Sequence, residues 1–590
     1  MCGIFGICGI TGQVEREAQL KKMMLSLAHR GPDAQGVYVP EGSTVAVGHV
    51  RLSIVDLSSA ANQPMFSRDG KIVIVFNGEI YNYKELRQSL EFEGVVFRTR
   101  SDTEVVLEGY RAWGTSIFNK LKGMWAICIH DNRIKQIILS RDHLGIKPLY
   151  YGFLNNVLYF GSEPKAMKAC SPSFADVDEV SVVLFERYGV LDRVPWTFYS
   201  KILAFPPASF AVIDEGTPNV KTECFWIPPT VDVKLKYKDA VNNVKELLVA
   251  SVKRHMQSDV ELGACLSGGI DSSAIVSICS SLSETPIKTF TTRFPNNAEI
   301  DETRWEKLIA NKYNTISTYC YPSSEAIADD LDDLVYFQDE PFGSMSIYSQ
   351  YCVFKEIKKN GVKVVLDGQG SDELFGGYVG YYKDYLKDRL IEKKYIQLLR
   401  EEIAILRLWG WVGGGIVLSP RECVDSVVKR LKNRGKNTSL KKKFHVDDVG
   451  QRLFLVSRNE KNYDDVLRNL LMYTNLPQLL RYEDRNSMAF SIESRVPFLD
   501  IDLVNYGLQI PTDYKLKGGY TKAVLRDALA GIIPLKTRKR IDKLGFPAPD
   551  VEWMKLVFGL NVSTAGSSEW RKIIVNKWRA SISSGGHNAL

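Results

Sequence analysis

Residues 262–275 read LGACLSGGIDSSAI, and few local structures accommodate such a stretch. Apolar, strand-like residues enter a turn holding Gly268 and Gly269, and Asp271, Ser272 and Ser273 then open an apolar helix. Strand, tight turn and helix N-terminus together hold an anion well. Glycine lets the backbone approach closely, N–H groups and hydroxyls point at the oxygens, and the helix end adds partial positive charge. A plain strand-to-helix turn with a serine cap accounts for less of the pattern. The stretch predicts a phosphate cradle.

Its surroundings extend the prediction. Before it, Ala240, Val244, Leu247, Leu248 and Val252 keep a helical period over residues 237–255. After it come a helix over 274–281, a strand over 288–294, and a short β-rich run at 361–366 that ends in DGQGSDELFGGY, residues 367–378. Alternating strands and helices predict a parallel sheet, whose ligands sit beyond the carboxyl ends of the strands. Asp271 and Asp372 are placed to share Mg²⁺ with phosphate oxygens; alone, Asp372 and Glu373 could simply open the next helix, but the two features together favour the metal.

The other end of the chain carries different chemistry. Met1 precedes a small residue, so its removal is expected, leaving Cys2 as the N-terminal residue. An N-terminal nucleophile uses its own α-amine, of pKa about 7.7 to 8.0, as the activating base. On position alone Cys2 reads first as a small buried side chain; the stretches that follow tip the balance toward a nucleophile. HVRLSIVD, residues 49–56, predicts an alternating strand carrying Arg51, and KIVIVFNGEIYN, residues 71–82, an apolar strand that stops at Asn77, Gly78 and Glu79. An amide beside a glycine N–H is the equipment of an oxyanion hole. Ser101 and Asp102 open a helical pattern, where Asp102 suits a substrate ammonium or a plain N-cap.

MCGIFGI, HRGPD, RLSIVD, NGEIYN, SDTE and SRDHLGIKPLYY together resemble the class II glutamine amidotransferase domain. The resemblance implies glutamine hydrolysis, with Cys2 as nucleophile and Asn77 and Gly78 holding the oxyanion. Arg51, Leu52, Ser53, Ile54, Val55, Asn77, Gly78, Glu79 and Asp102 would bind glutamine, Arg51 gripping its α-carboxylate. SGGIDSS, DGQGSDELFGGY, LPQLLRYEDRNSMAFSIESRVPFLD (476–500), GGYTKAVLRDAL (518–529) and RKRIDKLGFPAP (538–549) are similar to the synthetase domain of the asparagine synthetase family. That resemblance implies ATP binding by Leu266, Ser267, Gly268, Gly269, Asp271, Ser272, Thr292, Asp367 and Gly368. It also implies a carboxylate activated as its acyl-adenylate, and a charge-stabilising Lys522 in the segment matching the family's lysine-bearing helix. Gln369 stands where some members carry glutamate; an amide positions groups but accepts no proton.

The implied fold is of mixed α/β and α+β class in two domains. An N-terminal-nucleophile hydrolase αββα sandwich (residues 2–205) and a linker (206–234) precede an ATP-pyrophosphatase, adenine nucleotide alpha hydrolase-like parallel-sheet domain with helical additions (235–590). The expected activity is a glutamine-hydrolysing ligase that amidates aspartate. The alternative is a relative acting on a sugar uronic acid, a cell-wall precursor or a natural-product carboxylate.

Composition narrows the setting. The 590 residues carry 76 basic and 69 acidic side chains, a net +7, too weak and too dispersed for a nucleic-acid partner. Ten cysteines show no CxxC pairing, which fits a reducing cytoplasm rather than a disulfide framework or zinc site. The N-terminus lacks the features of a signal peptide, and residues 408–420 are too short to span a bilayer. A homodimer is one assembly open to the chain. The basic stretch 429–443, KRLKNRGKNTSLKKK, reads as a solvated loop, and the final SISSGGHNAL is expected to fray.

Overall fold

The computed structural model describes residues 2–410, 415–418, 462–542, 548–559 and 567–583. The basic stretch 429–443 and the last seven residues lie outside them.

Twelve strands build the first part: β1 (Gly3–Cys8), β2 (Ala34–Tyr38), β3 (Val45–Arg51), β4 (Met65–Phe66), β5 (Ile72–Ile80), β6 (Gly123–Asp131), β7 (Gln136–Arg141), β8 (Tyr150–Leu154), β9 (Val157–Gly161), β10 (Ile202–Ala204), β11 (Ser209–Asp214) and β12 (Thr222–Cys224). They form two six-stranded antiparallel sheets, in the orders β10-β8-β9-β1-β3-β2 and β12-β11-β7-β6-β5-β4. Side chains alternating along each strand serve two cores. Ile4, Cys8, Val73, Val75, Ala126 and Cys128 meet between the sheets. Phe5 and Ile7 pack outward with Leu20 and Met23 of helix α1 (Gln13–Ser26). Ile72, Ile74 and Phe76 pack on α2 (Tyr83–Phe92) and α3 (Asp102–Trp113). With both faces covered, β1 and residues 72–76 of β5 are apolar throughout instead of alternating, and the layers are αββα.

Three expectations change. The strand over residues 71–82 does not stop at Asn77, because Asn77, Gly78 and Glu79 stay paired with β6 and β5 runs to Ile80. The strand over HVRLSIVD ends at Arg51, and residues 52–55 leave the sheet as a loop. Strands β11 and β12 lie inside the 206–234 stretch expected as linker, and β11 pairs with β7 over six residues, so the second sheet continues to Cys224.

Helix α4 (Tyr237–His255) leads to the second part. There β13 (Leu262–Cys265), β14 (Lys288–Thr292), β15 (Ile316–Cys320), β16 (Val364–Leu366) and β17 (Glu493–Arg495) form an all-parallel sheet in the order β15-β14-β13-β16-β17. Its two faces feed separate cores. Ala264, Leu266 and Leu366 pack with α4 and α5 (Ile270–Leu282), while Phe290 and Val365 pack with α6 (Ser346–Lys359). Helix α7 (Leu476–Met488) carries the chain to β17, and α8 (Ser568–Ser583) closes it. The first three residues of the tail expected to fray are still helical, because Trp570 and Trp578 of α8 are buried. Trp578 Nε1 donates to Asp339 O at 3.0 Å and to Tyr199 Oη at 3.1 Å, tying the second part to the first. Among the described residues no helix is long and apolar enough to cross a membrane.

Two candidate active sites

The first site forms where β1 begins beside the far end of β5. The Cys2 backbone N–H donates to Asn77 Oδ1 at 2.9 Å, which turns the other half of that amide away. Asn77 Nδ2 is buried with no hydrogen-bond partner among the described residues, a donor waiting for an acceptor. Gly78 has no substitute: a Cβ there would lie 2.0 Å from Met124 O. Cys2 Sγ reaches Leu52 O at 3.9 Å, and burial pushes its thiol pKa up.

Around the thiol is a pocket of about 30 Å³ lined in part by Arg51, Leu52, Ile54, Val55, Glu79 and Asp102. Arg51 is aimed by its surroundings, its guanidinium donating to Ser58 O at 2.9 Å, Asn62 Oδ1 at 2.7 Å and Asp56 O. Ser53 does not line the pocket; its N–H donates to Asp33 Oδ2 at 2.8 Å. Asp102 Oδ2 accepts from Ile80 N–H at 2.9 Å, yet burial raises its pKa to about 6. Burial likewise holds Glu79 well above the carboxylate range, although Arg495 Nη2 lies 3.2 Å away.

Arg495 belongs to β17 of the second part, and its neighbour Glu493 lines the glutaminase-like pocket directly. Burial opposes ionisation of Glu493, but the chain's N-terminal charge, Arg495 and Lys147 hold it down to about 2. No sequence signal assigned Glu493 to this pocket, since it lies more than four hundred residues from Cys2.

The second site opens beyond the carboxyl ends of β13, β14 and β16, as a parallel sheet requires. Its cavity measures about 570 Å³. Ser267, Asp271, Ser272, Thr292, Asp367 and Gly368 line it, together with Gln369, Asp372 and Lys522. The turn closes on itself: Ser267 N–H donates to Ser272 Oγ at 3.2 Å, and Gly269 N–H to Ser267 Oγ at 3.3 Å. Gly268 sits at φ +71°, and a Cβ there would meet Glu306 N at 2.5 Å. Neither it nor Gly269 reaches the cavity surface, and Leu266 packs in the core, its N–H donating to Phe290 O at 2.9 Å.

Lys522 differs from the helical position expected for it. It is the N-cap before the short helix Ala523–Ala528, in left-handed backbone conformation at φ 53°. From there its ammonium reaches Asp271 Oδ1 at 2.7 Å and Asp372 Oδ1 at 2.6 Å. Gly377 makes room, for a Cβ there would stand 1.7 Å from Asp372 Oδ1. The two carboxylates thus converge on one cation. Among the described residues no group of three His, Cys, Asp or Glu could hold a metal alone. The two carboxylates at the cavity wall match the donor set of Mg²⁺, which takes one or two carboxylates plus substrate phosphate oxygens. Ser346, Asn475 and Arg540 also line the cavity and were not foreseen, although Arg540 falls within the quoted RKRIDKLGFPAP; its Nη1 donates to Gly268 O at 3.2 Å and pins the turn.

Helix α7 stands between the sites. Leu479 lines the ATP-type cavity, whereas Pro477, Leu480, Arg481, Asp484 and Arg485 line a separate void of about 40 Å³ shared with Tyr150 and Ile146 of the first part. Arg30 joins this layer to Cys2. It donates to Cys2 O at 3.0 Å, Glu163 Oε1 at 2.6 Å and Asp484 Oδ2 at 2.8 Å.

A thiol–amide pocket and a nucleotide-type cavity on one chain define a two-site enzyme that moves nitrogen. The model of the glutamine amidotransferase domain family matches residues 1–226, and that of the asparagine synthase family residues 243–562. Asparagine synthetase [glutamine-hydrolyzing] 1 of Bacillus subtilis is 33% identical, covering 94% of this chain and 88% of its own length. Asparagine synthetase [glutamine-hydrolyzing] 3 of that bacterium is 30% identical, covering 97% and 90%. Amidase chry2 of Gibberella zeae is 26% identical, covering 94% and 89%. The chain belongs to the glutamine-hydrolysing asparagine synthetase family and is an ATP-dependent ligase.

Proposed function

We propose that the chain hydrolyses glutamine at Cys2 and uses the ammonia to amidate the side-chain carboxylate of aspartate, through an acyl-adenylate formed in the second cavity. After loss of Met1, the Cys2 α-amine takes the thiol proton and the thiolate attacks the glutamine amide carbon. Asn77 Nδ2 and the Gly78 N–H hold the oxyanion, Arg51 the α-carboxylate, and Asp102 with Glu79 the ammonium. The loop 52–55 walls the side chain.

In the second cavity the 267–272 turn holds the pyrophosphate, with Thr292, Asp367 and Gly368 along the nucleotide. Asp271 and Asp372 would hold Mg²⁺, which supplies charge neutralisation for the departing pyrophosphate. Lys522 keeps a positive charge against the phosphates as the adenylate forms and collapses. Residues 2–224 then make ammonia and residues from about 235 onward use it.

The observation that carries this reading is α7, a single helix that lines the ATP-type cavity through Leu479 and, on another face, the void shared with the first part. Ammonia is largely protonated in water at neutral pH, so an enclosed route favours its use. The test is incubation with glutamine, ATP, Mg²⁺ and aspartate. Asparagine, AMP and pyrophosphate are expected in equal amounts. Intact glutamine hydrolysis without asparagine, joined to pyrophosphate release stimulated by another carboxylate, would replace aspartate with that acceptor.

A further inference from the structure

Behind the ATP cavity lies a carboxyl to which no role has yet fallen. Glu483, on α7, is only 3% exposed. It does not line the cavity, but two residues that do, Asp367 and Gln369, are hydrogen-bonded to it. Burial first, and the facing Asp367 second, push Glu483 well above the carboxylate range.

Glu483 is also fixed from behind by a one-way series of amides. Gln338 Nε2 donates to Asn486 Oδ1 at 2.9 Å, Asn486 Nδ2 to Gln350 Oε1 at 2.8 Å, and Gln350 Nε2 to Glu483 Oε2. Ser494 Oγ donates to the other oxygen, Oε1, at 2.5 Å. Each amide uses its carbonyl on one neighbour and its N–H on the next, so reversing one reverses all. Glu483 is thereby held as an acceptor, and Gln369 must present its N–H₂ end to it. What Gln369 has left for the cavity is its carbonyl oxygen.

We propose that Glu483 is a positioning residue for amide formation, acting through Gln369, whose carbonyl it turns into the cavity to accept an N–H from ammonia. An ammonia molecule held by one N–H has its lone pair directed away from that bond, toward the acyl carbon. The nitrogen forms the C–N bond, the C–O bond to AMP breaks with its electron pair staying on the phosphate, and the nitrogen's surplus proton goes to that phosphate. Gln369 supplies aim and takes no proton. The inference rests on the acyl-adenylate reading above.

The experiment uses the full chain with ammonium chloride as nitrogen source, and follows acceptor-dependent ATP–pyrophosphate exchange, amide formation and glutaminase separately. In Glu483→Gln, exchange and glutaminase stay within about threefold of the unmodified enzyme, and in Gln369→Ala glutaminase does. Amide formation falls by about 10²-fold, the scale of a misplaced reactant, with a raised KM for ammonia. In the double variant the loss equals that of Gln369→Ala alone, because Glu483 acts through residue 369. Additive losses, or exchange falling in step with amide formation, overturn the proposal. Should Glu483→Gln fail to fold, Gln369→Ala decides by itself: amide formation at the unmodified rate overturns it. If aspartate elicits no exchange in the unmodified enzyme, aspartate falls as the acceptor, and the same ratios are read with the carboxylate that does elicit exchange.

Discussion

Asp102 shows how burial tunes one residue. Its folded pKa of about 6 stands above the ordinary 3.8, so the protonated form suits the folded protein. The resulting stability is complete below 3.8 and lost as pH rises through 6. Holding a glutamine ammonium needs the opposite, ionised form. The KM for glutamine is therefore expected to fall as pH rises through about 6, and Asp102→Asn should raise KM and remove that dependence in a glutaminase pH series. At the second site Gly377→Ala would drive a methyl into the contact between Asp372 and Lys522. Pyrophosphate formation is expected to drop by about 10²-fold or more, the scale for losing one preorganised charge, with glutaminase unchanged; an equal loss of both would remove Asp372 and Lys522 from the adenylation role.

Among elements, the 267–272 turn was the most readable, because strand, turn and helix start are contiguous and the glycines announce a close approach. Gly268 is left-handed, as the tight turn requires, and its close approach is to Glu306 N, away from the cavity surface. Gly268→Ala is expected to cost about 1–3 kcal/mol in thermal unfolding and to depress pyrophosphate exchange. Arg51 and Asp102 were legible for the same reason, each sitting at the edge of an element whose pattern is local. Residues 52–55 were misread because Leu, Ser, Ile and Val alternate as a strand would, yet three acceptors gathered on the Arg51 guanidinium fold that segment away from the sheet. Lys522 was expected inside a helix, and only the backbone shows it one residue outside, where left-handed geometry brings its ammonium to both carboxylates. Glu483, Glu493 and Arg30 carried no local pattern. Each owes its place to α7 and β17 docking against distant strands, which no periodicity encodes.

Over the whole molecule the two sites are chemically separable. Cys2→Ala is expected to abolish glutamine-dependent synthesis while ammonia-dependent synthesis continues, and equal loss of both in that assay would contradict the two-site arrangement. Mechanically they are less so. Glu163 is fully buried, accepts a hydrogen bond from Arg30 at 2.6 Å, and is ion-paired with Arg485 at 2.8 Å and Lys165 at 2.9 Å. Burial works to raise its pKa, but Arg485, Lys165 and the neighbouring cations hold it well below the usual range. The stability it contributes is present above its unfolded pKa and lost as pH falls below that value. Glu163→Gln would leave buried cations uncompensated, with an expected cost of about 3–5 kcal/mol in denaturant unfolding and a loosened junction between the parts. The Arg30 guanidinium, shared by the Cys2 carbonyl, Glu163 and Asp484, has a consequence for anyone cutting the gene in two. The N-terminal fragment would keep Arg30 and Glu163 but lose Arg485 and Asp484, and the C-terminal fragment would inherit an arginine and an aspartate stripped of their partners. Independent expression of either half therefore calls for redesigned charges at the cut face.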